Sequence, residues 1–553
     1  MNTRSALNRE ATLSKLGNET FDLAIIGGGI TGAGIALDAA SRGMKVALVE
    51  QKDFANGTSS KSTKLIHGGL RYLKNLEIGL VREVGHERAV VHQIAPHMVI
   101  PQKMLLPFYK KGTFGPMATS IALWVYDRLA KVHDRDRRKM LSRQQTLDKE
   151  PLLKQDGLKG SGYYAEYRAD DARLTIENIK SAVDHGAICL NYVSAEKFLY
   201  GANEKISGMI CRDVLADETF ELKATFVVNA TGPWTDKLRK KDDGSAHDKL
   251  FLSKGVHIVI AKEKLPLRQA VYFDVPDGRM IFAIPHHRAT YIGTTDTKYT
   301  GDIEHVKVTR EDALYLLDAT NNMFPGLDLK TEDIESSWAG LRPLIYKGGK
   351  SAGELSRKDE IFISKHDLIT ITGGKLTGYR KMAQDVVDLV ARRFEHDHQK
   401  TFREVKTKDI VLNGGPFNEQ LKLEDYKKTL TERLKAAGLE GHWPDYMLEN
   451  YGRQSDAILE KIPYYDRNTP EEALIRGEVW FAVIHELAQT PVDFFGHRTG
   501  RLFYDLPGIE TVKNVALEDF ETYFDWEEEE LKNAALELDR AIQSMTDFGE
   551  KDL

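Results

Sequence analysis

Short apolar runs and glycine clusters alternate near the start of the chain. Leu23-Ala24-Ile25-Ile26 is an unbroken apolar run of the length of a buried parallel strand, and it leads directly into Gly27-Gly28-Gly29-Ile30-Thr31-Gly32. Positions 33–42 follow with helical character, Gly43 stops them, and 45–49 form a second apolar strand that ends at Glu50. A further apolar run over 224–228 meets another glycine turn at Asn229-Ala230-Thr231-Gly232. It predicts a strand beside the first one and makes the dinucleotide-type domain discontinuous. Apolar and polar residues alternate over 270–273, 280–284 and 291–293, the pattern of an antiparallel sheet. Beyond about position 400 the period becomes helical, as over 470–489 and 517–544. The expected fold class is α/β, with a Rossmann-like cofactor domain, an interleaved antiparallel-sheet domain for substrate, and a helical C-terminal domain. The expected boundaries are an extension over 1–20, the interleaved domains over 21–395 with the sheet at about 170–360, and a helical cap over 396–553.

Composition narrows the function classes. With 553 residues, 41% of them hydrophobic, the chain can bury more than one core. A net charge of −6 argues against general nucleic-acid affinity. Cys189 and Cys211 have no metal-like or redox-pair spacing, which fits a reducing compartment. The first twenty residues lack the apolar core of a secretory signal, and no stretch approaches the roughly 18 apolar residues that span a bilayer. Three metal-like features carry little. The acidic run 527–530 points round most of a helix, His485-Glu486 is followed by Gln489 where a zinc helix needs histidine, and His286 and His287 are expected to diverge along a strand.

The glycine spacing has a chemical reading. Gly27 permits the tight turn, Gly29 lets backbone approach a pyrophosphate, and Gly32 lets the helix lie close to the sheet. The first helical amides then face the phosphates. Glu50, 23 residues after Gly27, suits a ribose 2′-hydroxyl and would repel a 2′-phosphate, so NADP is disfavoured. Ala36, Gly43 and the second glycine turn favour FAD over NAD.

Several longer segments resemble the FAD-dependent, quinone-linked glycerol-3-phosphate dehydrogenases within the amino-acid-oxidase-like flavoproteins. They are Ser62-Thr63-Lys64-Leu65-Ile66-His67-Gly68-Gly69-Leu70-Arg71-Tyr72-Leu73, Asn229 to Trp234, Lys254-Gly255-Val256-His257, Gly293-Thr294-Thr295-Asp296, Gly340-Leu341-Arg342-Pro343-Leu344 and Gly373-Gly374-Lys375-Leu376-Thr377-Gly378-Tyr379-Arg380. The resemblance implies oxidation of sn-glycerol 3-phosphate to dihydroxyacetone phosphate, with FAD as cofactor and a membrane quinone as acceptor. It implies that Gly27, Gly29, Gly32 and Glu50 hold the adenosine diphosphate half, and that Thr58, Ser62, Thr63, Leu65, His67 and Gly232 line the way to the ring. Gly374, Lys375, Leu376 and Thr377 would open a helix aimed at the flavin. Arg71, Tyr72, Arg342, Arg357 and Lys375 are the substrate-binding candidates, since planar guanidinium groups match phosphate oxygens in pairs. Arg342 stays protonated, so it would orient the C2 hydroxyl, while His67, and after it His257, are the candidate bases. An oxygen-dependent oxidase, an amine or amino-acid oxidase, and a flavin sensor without turnover are the alternatives.

A quinone-linked enzyme has to reach a membrane. Met117, Ile121, Trp124, Val125 and Leu129 fall on one helical side of 116–130, with Lys110 and Lys111 before it and Arg128, Lys131, Arg135, Arg137 and Arg138 after. That composition suits a helix lying in an anionic lipid interface, or equally a buried helix with a basic loop. The expected location is cytoplasmic, peripheral to the inner face of the membrane, with homo-oligomerisation left open.

Overall fold

A computed structural model describes residues 3–66, 78–110, 138–346, 358–465 and 469–549. The opening pattern folds as strand Thr20–Ile26, helix Ile30–Ser41 and strand Val46–Val49. The helix begins three residues earlier than its apolar period suggests, because extended Gly29 serves as its N-cap. Both strands pair in parallel, and Glu218–Asn229 adds to the other side of the first. Ile188–Leu190 joins one flank and Ile369–Gly373 the other, with Asp359–Ile363 antiparallel at the edge. Leu23 to Ile26 and Val46 to Val49 are all buried. Unbroken apolar runs belong to strands covered on both faces. The helix Ile30–Ser41 covers one face and packs against helices Asp171–Asp184 and Tyr379–His398.

Strand Glu218–Asn229 changes partner along its length, pairing antiparallel with Ile206–Asp213 first and in parallel with Thr20–Ile26 afterwards. Its side chains follow suit, alternating in exposure at first and then buried continuously from Phe226 to Asn229.

The second sheet is built on Leu250–Ala261 and Ile334–Ile345, which pair along nearly their whole lengths. Ala289–Gly293, Met280–His286 and Ala270–Asp274 follow antiparallel, then Ile100–Tyr109 in parallel and Leu158–Arg168 antiparallel. This sheet draws on more of the chain than the expected 170–360, taking strands from before position 170, while the stretch from Ile188 to Asn229 joins the cofactor sheet. Alternation marks a strand with one exposed face but does not say which sheet it enters.

From Leu423 onward the described chain is helical, as its period predicts. Buried charges tie these helices to the cofactor domain. Arg173 donates to both oxygens of Glu486, at 2.8 and 2.9 Å, and to Glu177 at 2.6 Å, while Lys180 reaches Glu486 at 2.8 Å. Asp53, three residues past Glu50, accepts two bonds from Arg498 at 2.7 and 2.9 Å. The loop leaving the second strand is thus braced from the C-terminal domain.

Candidate functional site: a cleft between the two sheets

The carboxyl ends of four parallel strands, Thr20–Ile26, Val46–Val49, Glu218–Asn229 and Ile369–Gly373, converge on a cleft of about 290 Å3, where open α/β sheets bind their ligands. Gly27, Gly29, Glu50, Thr58, Ser62, Thr63, Leu65, Gly232, Gly374, Lys375, Leu376 and Thr377 line it, together with Arg342 from the second sheet. Residues up to 350 positions apart, and attributed by sequence to cofactor or substrate, therefore share one wall. Gly32 does not face the cleft; it shapes the loop. His67, Arg71, Tyr72 and Arg357 lie outside the described residues, as does 116–130.

The two glycine turns interlock. Gly27 has φ +113°, and a Cβ there would lie 2.6 Å from the Ala230 carbonyl oxygen. A Cβ on Gly32 would run into the Gly27 carbonyl. Asn229 locks the second turn, accepting from Thr231 N at 3.2 Å and Thr231 Oγ1 at 2.7 Å while donating to Thr235 O at 3.1 Å. These contacts leave the amino end of helix Ile30–Ser41 facing the cleft, the arrangement that receives a phosphate. Ser59 caps it, its Oγ accepting from Ile30 N at 2.9 Å. Ser59 lies between Thr58 and Ser62, and nothing in the local sequence separates it from its neighbours.

Glu50 is held at the tip of the second strand, Oε2 accepting from Gly28 N at 2.7 Å and Oε1 from Lys52 N at 2.9 Å. Burial pushes its pKa up, against the pull of those two amides. A carboxylate has about four acceptor positions, so this one can still take a ribose hydroxyl. The cradle, the helix terminus and the fixed acid fit a dinucleotide such as FAD.

At the other end of the cleft, Arg342 donates to Thr295 O at 3.0 Å, Asp296 Oδ1 at 3.2 Å and Thr294 Oγ1 at 2.8 Å. Its guanidinium lies flat over Gly255, where any Cβ would strike it. Lys375 precedes the 3-10 turn Leu376–Gly378 and the helix Tyr379–His398, so the expected helix start does face the cleft. Lys64, inside the most specific segment, is structural. Its ammonium is buried against Asp171 and, at 3.1 Å, Asp170, and Ser62 N donates to Asp171 at 3.1 Å, pinning the loop to helix Asp171–Asp184.

His257 sits behind the wall. Its Nε2 is 3.1 Å from Thr63 Oγ1, and its ring stacks on Trp338 with centroids 4.8 Å apart. Burial, followed by the charges of Arg342 and Lys64, drives its pKa well below the usual histidine range. The imidazole is therefore neutral and reaches the cleft only through Thr63. Glu304 and Lys52, which the sequence did not single out, line the cleft beside Trp234, the last residue of the segment that begins at Asn229. Trp234 Nε1 donates to Glu304 at 2.6 Å and Lys52 pairs with Glu304 at 3.1 Å.

His286 and His287 do not diverge as a continuous strand would require. The strand stops at His286 and His287 turns back with φ +51°, bringing the rings to 4.1 Å. Arg168 lies between His286 and Glu449, 2.9 Å from each, where a bound cation would have to sit.

The comparisons agree with this geometry. A family model described as FAD dependent oxidoreductase matches residues 22–380, and one described as the C-terminal domain of alpha-glycerophosphate oxidase matches 405–531. The chain is 49% identical over 530 residues to the aerobic glycerol-3-phosphate dehydrogenase of Bacillus subtilis, covering 95% of each. It is 48% identical over 546 residues to that of Staphylococcus haemolyticus, covering 98% of each. Among solved structures it is similar to the glycerol-3-phosphate dehydrogenase of Bacillus halodurans complexed with FAD, with a TM-score of 0.82, 41% identity, and coverage of 98% of this chain and 99% of that one.

Proposed function

The chain belongs to the family of FAD-dependent aerobic glycerol-3-phosphate dehydrogenases, and we propose that it oxidises sn-glycerol 3-phosphate to dihydroxyacetone phosphate and delivers the electrons to a membrane quinone. The observation that supports this reading best is the shared wall of the cleft, which sets a dinucleotide cradle beside Arg342 and Lys375.

Bound FAD supplies the hydride acceptor. The residues of the chain do the rest. The amides at the start of helix Ile30–Ser41 face the diphosphate, and Glu50 accepts from the ribose. Arg342, fixed by Thr294, Thr295 and Asp296, directs its guanidinium at the C2 oxygen and stabilises charge that develops there. It keeps its own proton at any working pH. Lys375, with Arg71, Tyr72 and Arg357, holds the phosphate. The proton of the C2 hydroxyl goes to His67. His257 is the weaker base because its ring lies behind Thr63 and is hard to protonate, so its part is to orient the Thr63 hydroxyl.

In this reading the quinone is met at the bilayer surface; among the described residues no helix is long and apolar enough to cross a membrane. Anaerobic mixing of the holoenzyme with glycerol 3-phosphate, glycerol or amino acids tests the substrate, and only glycerol 3-phosphate should bleach the flavin. Reoxidation of the reduced enzyme by a quinone analogue should outpace reoxidation by oxygen. Bleaching by an amino acid, or faster turnover with oxygen, would overturn the reading.

A further inference from the structure

The cations of the cleft are not equally matched. Lys52 and Lys237 share Glu304 at 3.1 and 3.4 Å, Lys241 meets Glu196 at 3.8 Å, and Arg342 meets Asp296 at 3.2 Å. Lys375 also has partners of its own. Lys61 lines the same cleft, yet no carboxylate among the described residues comes within ion-pair distance of it. Burial, and then the charge of Lys52, bring its pKa down to about 8. Lys61 is half-buried, and a partly desolvated cation without a partner costs free energy that a ligand anion would offset.

The loop holds that cation in place from both sides. Ser59, two residues earlier, caps helix Ile30–Ser41, and Lys61 N donates to Thr58 O at 3.2 Å. Lys61 O rests against Gly340, where a Cβ would collide with it, and the next residue is tied to Asp171 through its amide. The backbone at Lys61 is therefore fixed, and its side chain lines the same cleft as the helix terminus that faces a phosphate.

We propose that Lys61 is the counter-charge for the diphosphate of bound FAD. A helix terminus carries only about half a positive charge, against two negative charges on a diphosphate. Lys61 supplies a full charge on the same side. The inference rests on this cleft being the FAD site, which Gly29→Val tests separately: that variant should be purified without FAD, and flavin content equal to the parent's would place FAD elsewhere.

The remaining charged groups around Lys61 are Lys52 and its partner Glu304, Glu50, Arg342 on the facing strand, and Asp171 below Ser62, itself paired with Lys64. Burial raises Glu50 and Asp171 from the carboxylate range, whereas Lys61 starts at about 8. Below that pH the ammonium is charged and FAD binds at full affinity. Above it, binding must take up a proton, and the dissociation constant rises by up to about tenfold per pH unit.

Parent, K61M and K61R holoenzymes are diluted from about pH 6.5 to about pH 9.5, a range centred on the lysine transition, and free FAD is read by fluorescence. The parent should hold FAD evenly at low pH and lose it as pH passes 8. K61M should bind roughly tenfold or more weakly at neutral pH, with no such transition. K61R should bind tightly across the range, since arginine does not titrate there. Thermal unfolding in excess FAD checks that K61M folds; should it not, K61R alone decides. Parent-like affinity and pH profile in K61M, or a parent-like transition in K61R, would overturn the proposal. So would unchanged affinity in K61M with a shifted flavin midpoint potential, which would place the ammonium against the ring.

Discussion

Arg342 owes its position to the lack of a side chain at Gly255, beneath its guanidinium. Gly255→Ala should displace the guanidinium without breaking the strand, because the atoms in the way are the far end of a flexible side chain. The expected result is a roughly tenfold to hundredfold fall in kcat/KM, the size of a lost charge-assisted hydrogen bond, with FAD content and melting temperature near the parent's. Steady-state kinetics beside a flavin absorbance ratio checks it, and unaltered kcat/KM would show that Arg342 need not lie flat. Gly32→Ala should fail differently. Its methyl meets backbone, the Gly27 carbonyl, so the cradle must open and the purified protein should lack FAD. Normal flavin content in that variant would mean the loop can relax. Gly27 and Gly29 could be picked out because their spacing has a chemical reason, whereas Arg342 was named through a family resemblance; the structure puts all three on the cleft. The inaccessibility of His257 was not, since it depends on a register that sets it opposite both Gly293 and Trp338 and behind Thr63. Lys61 was hidden for a similar reason: it precedes the segment that begins at Ser62, but only the loop path shows that its neighbours are tied down while no described carboxylate pairs with it.

Whole elements were easier to read than their connections. Strand, glycine turn and helix are fixed by runs of neighbouring residues, and so is the helical character after Leu423. What joins the helical domain to the cofactor domain is a set of buried ions far apart in sequence, with Arg173 and Glu486 separated by 313 positions. Glu486 attracted notice only as part of an incomplete zinc pattern, and its real partners could not be inferred from local spacing. Burial alone would raise its pKa, but Arg173 and Lys180 outweigh burial and hold it down to about 2. A carboxyl with a depressed pKa adds stability that is complete above its unfolded value near 4.5 and lost as pH falls through about 2. Acid unfolding of the parent should therefore steepen across that window. In Glu486→Gln it should be shallower there, and the variant should be less stable at neutral pH by about 3–5 kcal/mol, because the buried Arg173 and Lys180 keep Glu177 but lose the carboxylate they share at Glu486. Urea unfolding followed at neutral and acidic pH measures both effects. Equal stability of the two proteins at neutral pH would show that water reaches the freed cations.

For the molecule as a whole the open matter is contact with a bilayer, since the chain carries a net charge of −6 and no described helix can cross a membrane. Overall repulsion from an anionic surface must then be overcome locally. The amphipathic stretch 116–130 has that capacity in its sequence, with an apolar side led by Trp124 and cations before and after it. Its flanks are firmly rooted: the chain leaves strand Ile100–Tyr109 and re-enters at Lys139–Ser142, and both strands pair with Leu158–Arg168. Each cation near an anionic surface contributes about 1 kcal/mol, so removing two should weaken binding about thirtyfold. We therefore expect the parent to sediment with anionic vesicles and to be released by salt, which screens such attraction beyond about 10 Å at 0.1 M. A variant with Trp124→Ala, Arg128→Gln and Lys131→Gln should stay in the supernatant at low salt while reducing a water-soluble acceptor at the parent's rate. Its turnover with a quinone confined to vesicles should fall in step with binding. Sedimentation equal to the parent's would move the membrane contact to another surface, and a matching loss with the soluble acceptor would make the stretch part of the fold instead.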